Sequence, residues 1–153
     1  MSDSSRASVI QPRALSHVAI RVRDVGRSTE WYERILGYRV FLDERKAEKN
    51  PRTFGLIGDL ALEILAAEDA SPRRIDESGC GVAAISFGVS DIDASLAALR
   101  AVGAAKSERP IALGDVKLVL FRDPDGILLE IIELPLGASS MAEVARRQLE
   151  RAG

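Results

Sequence analysis

An internal repeat constrains the fold of this 153-residue chain more than any other feature. A shift of 67 residues superposes Val18 on Ile85, Asp24 on Asp91 and Glu63 on Glu130. Self-similarity at a fixed offset is typical of a duplicated structural unit, and a chain of this length has room for two small units of one domain. The sequence therefore predicts two related modules, with His17 of the first falling on Ala84 of the second.

The first module has the pattern of one strand, one helix and three further strands. "LSHVAIRVRD" alternates apolar and polar residues, Asp24 then stands at a helix N-cap position, and Gly37 fits a C-terminal cap. Three strand-like segments follow, "YRVFLDE", "RTFGLIG" and "LALEILA", with a tight turn at Gly58 and Asp59 between the last two. The predicted order is βαβββ.

The second module repeats this beginning and ends in a hairpin. "AAISFGVSDIDASLAALRAVGA" gives a strand, an N-cap at Asp91 and a helix that ends near Gly103, and "DPDG" joins the last strands, "VKLVLFRD" and "ILLEIIE". Five segments are predicted, in chain order: 1–14, a disordered N-terminal arm; 15–66, the first module; 67–81, a linker; 82–134, the second module; 135–153, a C-terminal helix with Ser140 and Glu143 at capping-box spacing.

Two glutamates stand inside runs of large aliphatic residues. Glu63 lies in "LALEILA" and Glu130 in "ILLEIIE", where burial of an ionised carboxylate without a partner costs several kcal/mol or forces protonation. His17 alternates against Val18 in the first strand as each glutamate alternates against its neighbours. If helices cover the apolar strand faces, all three polar side chains point into one cavity.

Composition excludes several classes of function. The net charge is −2, the pI is near 5.5 and charged residues make up 29%, which gives no basic surface for a nucleic acid. No stretch approaches the length of a membrane span, and "MSDSSRASVIQPR" has no apolar segment of signal-peptide length. We expect a cytoplasmic protein, with Cys80 as an incidental thiol and no intrachain disulfide.

Residues 15 to 134 resemble the vicinal oxygen chelate superfamily, which includes glyoxalases, bleomycin-binding proteins and extradiol dioxygenases. The resemblance is carried by "SHVAIRVRDVGRSTEWYERILGYRV", "LEIL", "AISFGVSDIDASLAALRAVGA" and, most specifically, "FRDPDGILLEIIE". It implies an α+β fold in which two tandem βαβββ modules form an open, barrel-like mixed sheet around one cavity, with the helices outside.

The resemblance also implies a metal site. Family ligands stand on the first and fourth strand of each module, positions held here by His17, Glu63, Ala84 and Glu130. Three of the four can bind a divalent metal such as Zn, Fe, Mn, Ni or Co. Ala84 departs from the pattern because metal-binding relatives usually have histidine there, and His17 is the only histidine of the chain.

Further positions on the same strand faces suggest how a substrate would bind. Arg21 follows His17 on the first strand and could hold a carboxylate, phosphate or enolate oxygen, although a surface arginine is equally consistent. In the second module Ala84, Ser86 and Gly88 are all small. They predict a roomy side of the cavity, with Ala84 and Ser86 contacting the substrate.

These observations lead to one main hypothesis, a homodimeric enzyme that binds a small-molecule substrate. A divalent metal on His17, Glu63 and Glu130 would stabilise the enolate of a small carbonyl or hydroxy compound, and one glutamate would act as general base. The reaction would be an isomerisation, an epimerisation or a lyase step. Ring-cleaving dioxygenation ranks lower, because its iron triad uses the position of Ala84.

Two alternatives dispense with the metal. One is a protein that sequesters an aromatic or antibiotic-like ligand, against which the aromatic content of 5% counts. The other is an enzyme that uses His17 and a glutamate for acid and base chemistry on a natural-product intermediate. In either case Arg21 or Arg23 would join His17 in neutralising the glutamates.

Overall fold

The computed structural model describes residues 9–10, 12–69 and 81–152. Within these residues the chain forms eight strands and three α-helices, with a 3₁₀ turn at Pro135–Gly137. In order, the elements are β1 (Val18–Val22), α1 (Val25–Leu36), β2 (Arg39–Glu44), β3 (Arg52–Ile57), β4 (Leu60–Ala66), β5 (Ile85–Gly88), α2 (Ile92–Ala101), β6 (Ile111–Leu113), β7 (Val116–Arg122), β8 (Leu128–Glu133) and α3 (Met141–Ala152).

Each module builds its own four-stranded mixed sheet. The strand orders are β1-β4-β3-β2 and β5-β8-β7-β6, and in each sheet the first strand pairs in parallel with the last strand of its module. Val18 is opposite Leu62 in the first sheet, and Ile85 is opposite Leu129 in the second. These two pairs are related by the predicted repeat, so the two βαβββ modules and the α+β class are confirmed. The sheets remain separate and do not close into a barrel.

Both module helices begin where the sequence predicts. The Asp24 side chain accepts a hydrogen bond from the Arg27 amide, and Asp91 accepts one from the Ala94 amide, each at 2.9 Å. Gly37 caps α1 with φ of 67°, a conformation that suits glycine because it has no Cβ. The second helix ends at Ala101, two residues before the predicted Gly103.

The two modules share one hydrophobic core. Tyr32 of α1 and Phe121 of β7 are fully buried, and Phe121 also contacts the ring of Trp31 at 6.4 Å between centroids. The apolar sides of both sheets belong to the same cluster as the inward residues of α1 and α2. A helix of the first module therefore packs on a strand of the second, and the pair folds as one unit.

A polar junction fixes the β7–β8 turn of the second module against the first module. Asp125 lies in this turn with only 7% of its side chain exposed. Its Oδ1 accepts a hydrogen bond of 2.6 Å from Arg23 Nε, and its Oδ2 accepts bonds from Arg27 and Ser28. Burial alone would raise the pKa of Asp125, but the hydrogen bonds from Arg23 and Ser28 leave it below its usual value.

The neighbouring carboxylate of the same turn is buried and bonded differently. Asp123 Oδ2 accepts a 3.0 Å hydrogen bond from the Tyr32 hydroxyl, and Oδ1 accepts two bonds from the amides of Asp125 and Ile127. Burial raises the pKa of Asp123, and burial with the adjacent charge of Asp123 raises that of Tyr32. The "DPDG" turn is thus both shaped and anchored by its own aspartates.

The chain after β8 returns across the second sheet. Leu134 and Ala138 are buried there, and a Cβ at Gly88 would overlap the carbonyl oxygen of Ser139. The predicted C-terminal helix then begins after Ser140, whose hydroxyl accepts a hydrogen bond from the Glu143 amide. The Glu143 carboxylate in turn accepts two bonds from Ser139, which lower its pKa.

Other sequence predictions differ from the structure or fall outside its described residues. The short strand β6 was not predicted, because its three residues are exposed and lie beyond the point where the repeat loses register. Most of the predicted N-terminal arm, residues 70–80 of the predicted linker, and Cys80 lie outside the described residues. Within the described part of the chain, no helix is long and apolar enough to cross a membrane.

We expect Asp125→Asn to lower the free energy of unfolding by about 2 to 3 kcal/mol, because four hydrogen bonds to a charged acceptor are lost or weakened. Chemical denaturation at pH 7 measures this difference. Asp115→Asn, at an exposed turn residue, is the matched control and should have little effect.

The same pair of proteins should show a specific pH dependence. Since the pKa of Asp125 is lowered on folding, its contribution is complete above the unfolded-state value of about 4 and is lost as pH falls through the lower folded-state value. The stability difference between the parent and Asp125→Asn should therefore shrink below about pH 4. A difference that stays constant down to pH 2 would contradict this origin.

Candidate functional site

The polar face of the first sheet brings together the residues that the sequence singled out in that module. Ala19 and Phe54 are both opposite Glu63 in the strand register, so their side chains share one side of the sheet. His17, two residues before Ala19, lies on this side and its ring contacts that of Phe54. We call this side of the sheet, with His17, Arg52, Phe54 and Glu63 at its middle, the site face.

Glu63 lies between the Arg52 guanidinium and the His17 imidazole. Its side chain is 12% exposed, with Oε2 at 3.7 Å from His17 Nε2 and Oε1 at 3.3 Å from Arg52 Nη1. Arg52 also donates a 2.7 Å hydrogen bond from Nε to Glu44. The hydrogen bond and charge of Glu44, with a further contribution from Glu63, raise the pKa of the Arg52 guanidinium. Arg52 therefore holds Oε1 of this carboxylate in an ion pair, while Oε2 is directed toward the His17 ring.

The arginines that the sequence suggested as partners of the glutamates lie elsewhere. Arg23 belongs to the Asp125 junction, and Arg21 donates to the carbonyl of Ala66 at 3.1 Å and lies 3.9 Å from Glu68. The residue that neutralises Glu63 beside His17 is Arg52, so the prediction of Arg21 or Arg23 in this role was wrong. Both arginines are held at the end of β1.

Glu130 occupies the equivalent place on the second sheet but has a different environment. Its Oε1 accepts a 2.5 Å hydrogen bond from the Ser86 hydroxyl, and Ser86 is directly opposite it in the register. On the other side Leu120 is its partner on β7. The same face carries further aliphatic side chains, among them Leu113, which is 61% exposed. This carboxylate therefore stands on an apolar face that is open to solvent.

Of the three small residues of the second module, Gly88 does not leave the space that was predicted. The Ser139 backbone packs against Gly88, so this glycine accommodates the chain rather than a substrate. Ala84 lines a groove of about 830 Å³ between the edge strands β1 and β5, where Arg21 and Arg23 also lie. His17, Glu63 and Glu130 are not among the residues of this groove. Ala84 and Ser86 thus have different surroundings, although only one residue separates them in the sequence.

The donors of one chain fit part of a metal site. Metal bonds of about 2.0 to 2.2 Å place neighbouring ligand atoms of a tetrahedral site about 3.4 Å apart, close to the 3.7 Å between His17 Nε2 and Glu63 Oε2. Among residues 9–10, 12–69 and 81–152, however, no three histidine, cysteine, aspartate or glutamate side chains are grouped to hold a metal ion. One chain therefore brings two candidate ligand atoms together, His17 Nε2 and Glu63 Oε2. The third candidate, Glu130, lies on the other sheet.

Sequence reasoning missed three residues of the site face: Arg52, Phe54 and Phe41. A signal for the first two existed. Because Gly58 and Asp59 form a two-residue turn, Ile57 pairs with Leu60, and counting back along the hairpin places Phe54 opposite Glu63. Arg52 then follows on the same face by alternation. Phe41 carries no such signal, because a register shift sets its place.

Comparison with known proteins defines the family. Residues 14–131 match the Glyoxalase/Bleomycin resistance protein/Dioxygenase superfamily, and the chain belongs to it. A lactoylglutathione lyase from Haemophilus influenzae is 30% identical over 126 residues, which cover 76% of this chain and 90% of that protein. The family that residues 15 to 134 resemble is therefore confirmed.

Solved structures of the same family have the same fold. A glyoxylase/bleomycin resistance protein/dioxygenase domain from Frankia sp. EAN1pec superposes with a TM-score of 0.70 at 27% identity, over 84% of this chain and 96% of that one. A fosfomycin resistance protein, FosX, from Listeria monocytogenes was solved with Mn(II) and 1S,2S-dihydroxypropylphosphonic acid. It has a TM-score of 0.65 at 20% identity, over 89% of this chain and 99% of that one, and supports the fold alone.

We expect Gly88→Ala to destabilise the protein by about 1 to 3 kcal/mol, because the added methyl group must displace the Ser139 carbonyl. Gly26→Ala is the matched control. Gly26 lies within α1, where alanine has the higher helix propensity, and its nearest obstacle is the Asp24 carboxylate at 3.3 Å. Thermal unfolding of both variants should give a loss for Gly88 and little change for Gly26; equal effects would contradict the packing of Ser139.

Proposed function

We propose that the protein is a metal-assisted isomerase, epimerase or lyase that acts on a small carbonyl or hydroxy compound. The observation that carries this proposal is the His17 and Glu63 pair, an imidazole nitrogen and a carboxylate oxygen at 3.7 Å on one sheet face. A divalent metal bound there would polarise the substrate oxygen and stabilise an enolate-like charge. Membership of the glyoxalase superfamily agrees with this class of chemistry.

His17 and Glu63 would be two protein ligands, and Glu130 would be the third. Since Glu130 lies on the other sheet, we propose that the chain forms a homodimer in which the Glu130 of one copy faces the His17 and Glu63 of the other. The exposed side chains of Ile111 and Leu113, on β6 of the same sheet, support this arrangement, because an apolar sheet face gains stability when it is covered.

The two glutamates are suited to different roles. Glu63 is oriented by Arg52 and by His17, which favours a fixed position. Glu130 is oriented by a hydrogen bond from Ser86 and has aliphatic neighbours on its strand. We assign to Glu130 the removal of the proton next to the substrate carbonyl, because its carboxylate is held by the Ser86 hydroxyl, whereas that of Glu63 is engaged by the Arg52 guanidinium.

Arg52 completes this site from the first sheet. Its guanidinium keeps one oxygen of Glu63 engaged and leaves the other oxygen directed toward His17. Glu44 holds Arg52 in that position through Nε. Glu44, Arg52 and Glu63 thus form a chain of ion pairs across neighbouring strands. This chain orients the candidate ligand pair before any substrate binds.

Metal binding tests the proposal directly. Protein purified without chelator or affinity metal is titrated with Mn²⁺ and with Zn²⁺ by calorimetry, and we expect about one site per chain. His17→Ala and Glu130→Gln should each weaken the affinity at least about tenfold, whereas Glu68→Gln, an exposed glutamate, should leave it unchanged. Absence of binding in the parent protein, or binding that is indifferent to both site variants, would overturn the proposal.

A mixing experiment separates a shared site from one within a single chain. Homodimers of His17→Ala and of Glu130→Gln each lack one ligand at every site. In a mixed dimer, the Glu130→Gln chain supplies His17 and Glu63 while the His17→Ala chain supplies Glu130, which restores one intact site. We expect mixing under subunit exchange to recover up to half of the parental binding among mixed dimers. No recovery, with exchange verified by mass labelling, would contradict the shared site.

A metal-free ligand-binding protein is the second candidate. It is supported by the row of aromatic rings on the site face, which sequence composition did not predict. The metal titration distinguishes the two candidates, because this alternative expects ligand binding that does not depend on Mn²⁺ or Zn²⁺.

A further inference from the structure

Three rings form a continuous row on the site face. The ring of Phe54 lies between those of His17, at 5.1 Å, and Phe41, at 5.3 Å, with interplanar angles of 59° and 43°. Phe41 is 68% exposed and Phe54 is half-buried. Exposed aromatic surface on a sheet face offers apolar contact area and a π-system to a ligand at the place where the site residues lie.

A bulge widens this row. Val40 pairs with Gly55 and Leu42 pairs with Phe54, so Phe41 is the additional residue between them. Two residues of β2 therefore oppose the single Phe54 of β3, which brings both Phe41 and Leu42 to its side of the sheet. Bulges recur next to binding and catalytic sites because they redirect a side chain without ending the strand. Here the bulge adds the Phe41 ring to that of Phe54, which enlarges the apolar surface of the site face.

One end of the row is charged. Glu63 is the cross-strand partner of Phe54, and the Arg52 guanidinium and the His17 imidazole are its contacts. A ligand ring that stacks on Phe54 would thus place its substituent beside the Arg52 guanidinium, which donates hydrogen bonds to oxygen. Arg52 is 40% exposed at its side chain and His17 39%, so both can be reached from the solvent side.

The mixture of rings and charges favours a small ligand over a protein surface. A second copy packed directly on this face, and not across a cavity as in the proposed dimer, would bury Arg52, Glu44 and Glu63, and charges buried in an interface carry a large desolvation cost. A small molecule with one flat apolar end and one oxygen-bearing end matches both parts of the face and leaves Glu44 in contact with water.

We propose that the site face binds a small molecule in which an aromatic or conjugated ring stands next to a carbonyl or carboxylate oxygen. The ring packs on Phe54 and Phe41, and the oxygen accepts hydrogen bonds from Arg52. The inference rests on the proposed function in that it uses the same face, and it names the class of substrate: an aryl-substituted keto or hydroxy acid.

The test compares two probes that differ by a ring. Binding of phenylpyruvate and of pyruvate to the full-length protein as purified is measured by ligand-observed NMR and calorimetry. We expect phenylpyruvate to bind at least about tenfold more tightly. Phe54→Leu and Phe41→Ala should reduce this preference about three- to tenfold, since they remove the stacking partners. Met141→Ala, at an exposed apolar residue of α3, is the control and should retain it.

A further variant tests the polar end. Arg52→Gln should weaken binding of both probes by a similar factor, because the oxygen-bearing group is common to them. Phe41 is exposed enough that its replacement leaves the fold intact, which keeps the test informative if Phe54→Leu unfolds.

Three outcomes would overturn the inference: equal binding of the two probes, a ring preference that both phenylalanine variants retain, or a change of association state in Phe41→Ala without loss of ring preference. The last would assign the row to a contact between copies. A ring preference without metal binding would reject the metal-assisted function and keep this inference, whereas metal binding without ring preference would do the reverse.

Discussion

The buried carboxylates of the "DPDG" turn determine how the rest of the molecule is arranged. Asp125 bonds to Arg23 and Arg27 and Asp123 to Tyr32, so a turn of the second module is fastened to the junction of β1 and α1 in the first. A module of one helix and four short strands buries only a modest share of its surface, so its stability alone is marginal. Once the turn is fastened, both modules contribute to one core, and the two sheet faces that carry Glu63 and Glu130 are held in fixed positions.

Much of this could be predicted from local sequence. The repeat gave the element order, and Asp24 and Asp91 marked the helix starts because side-chain capping is a local interaction. The partners of Asp125 could not be predicted, since about 100 residues separate it from Arg23 and nothing in either segment specifies the pairing. The strand β6 was missed because three exposed residues carry no periodicity, and the place of Phe41 depends on a bulge. The structure brings His17 and Glu63 together and places Glu130 on the other sheet, and Arg52 was overlooked.

The duplicated modules have diverged on the side that carries the candidate site. In the first, the glutamate stands among an imidazole, a guanidinium and a second carboxylate, so its charge is balanced within the sheet. In the second, the equivalent glutamate has a serine hydroxyl and aliphatic neighbours. The same strand arrangement thus gives the two carboxylates different interaction partners. This difference follows from the residues on adjacent strands and not from the glutamates themselves.

The contact of Ser139 with Gly88 couples two parts of the chain that are remote in sequence. As long as the segment after β8 crosses β5 at this point, position 88 can hold only a residue without a side chain. A relative whose chain stopped at the end of β8 would be released from this restriction and could place any β-forming residue there. We therefore expect the length of the C-terminal region and the residue at position 88 to change together during divergence.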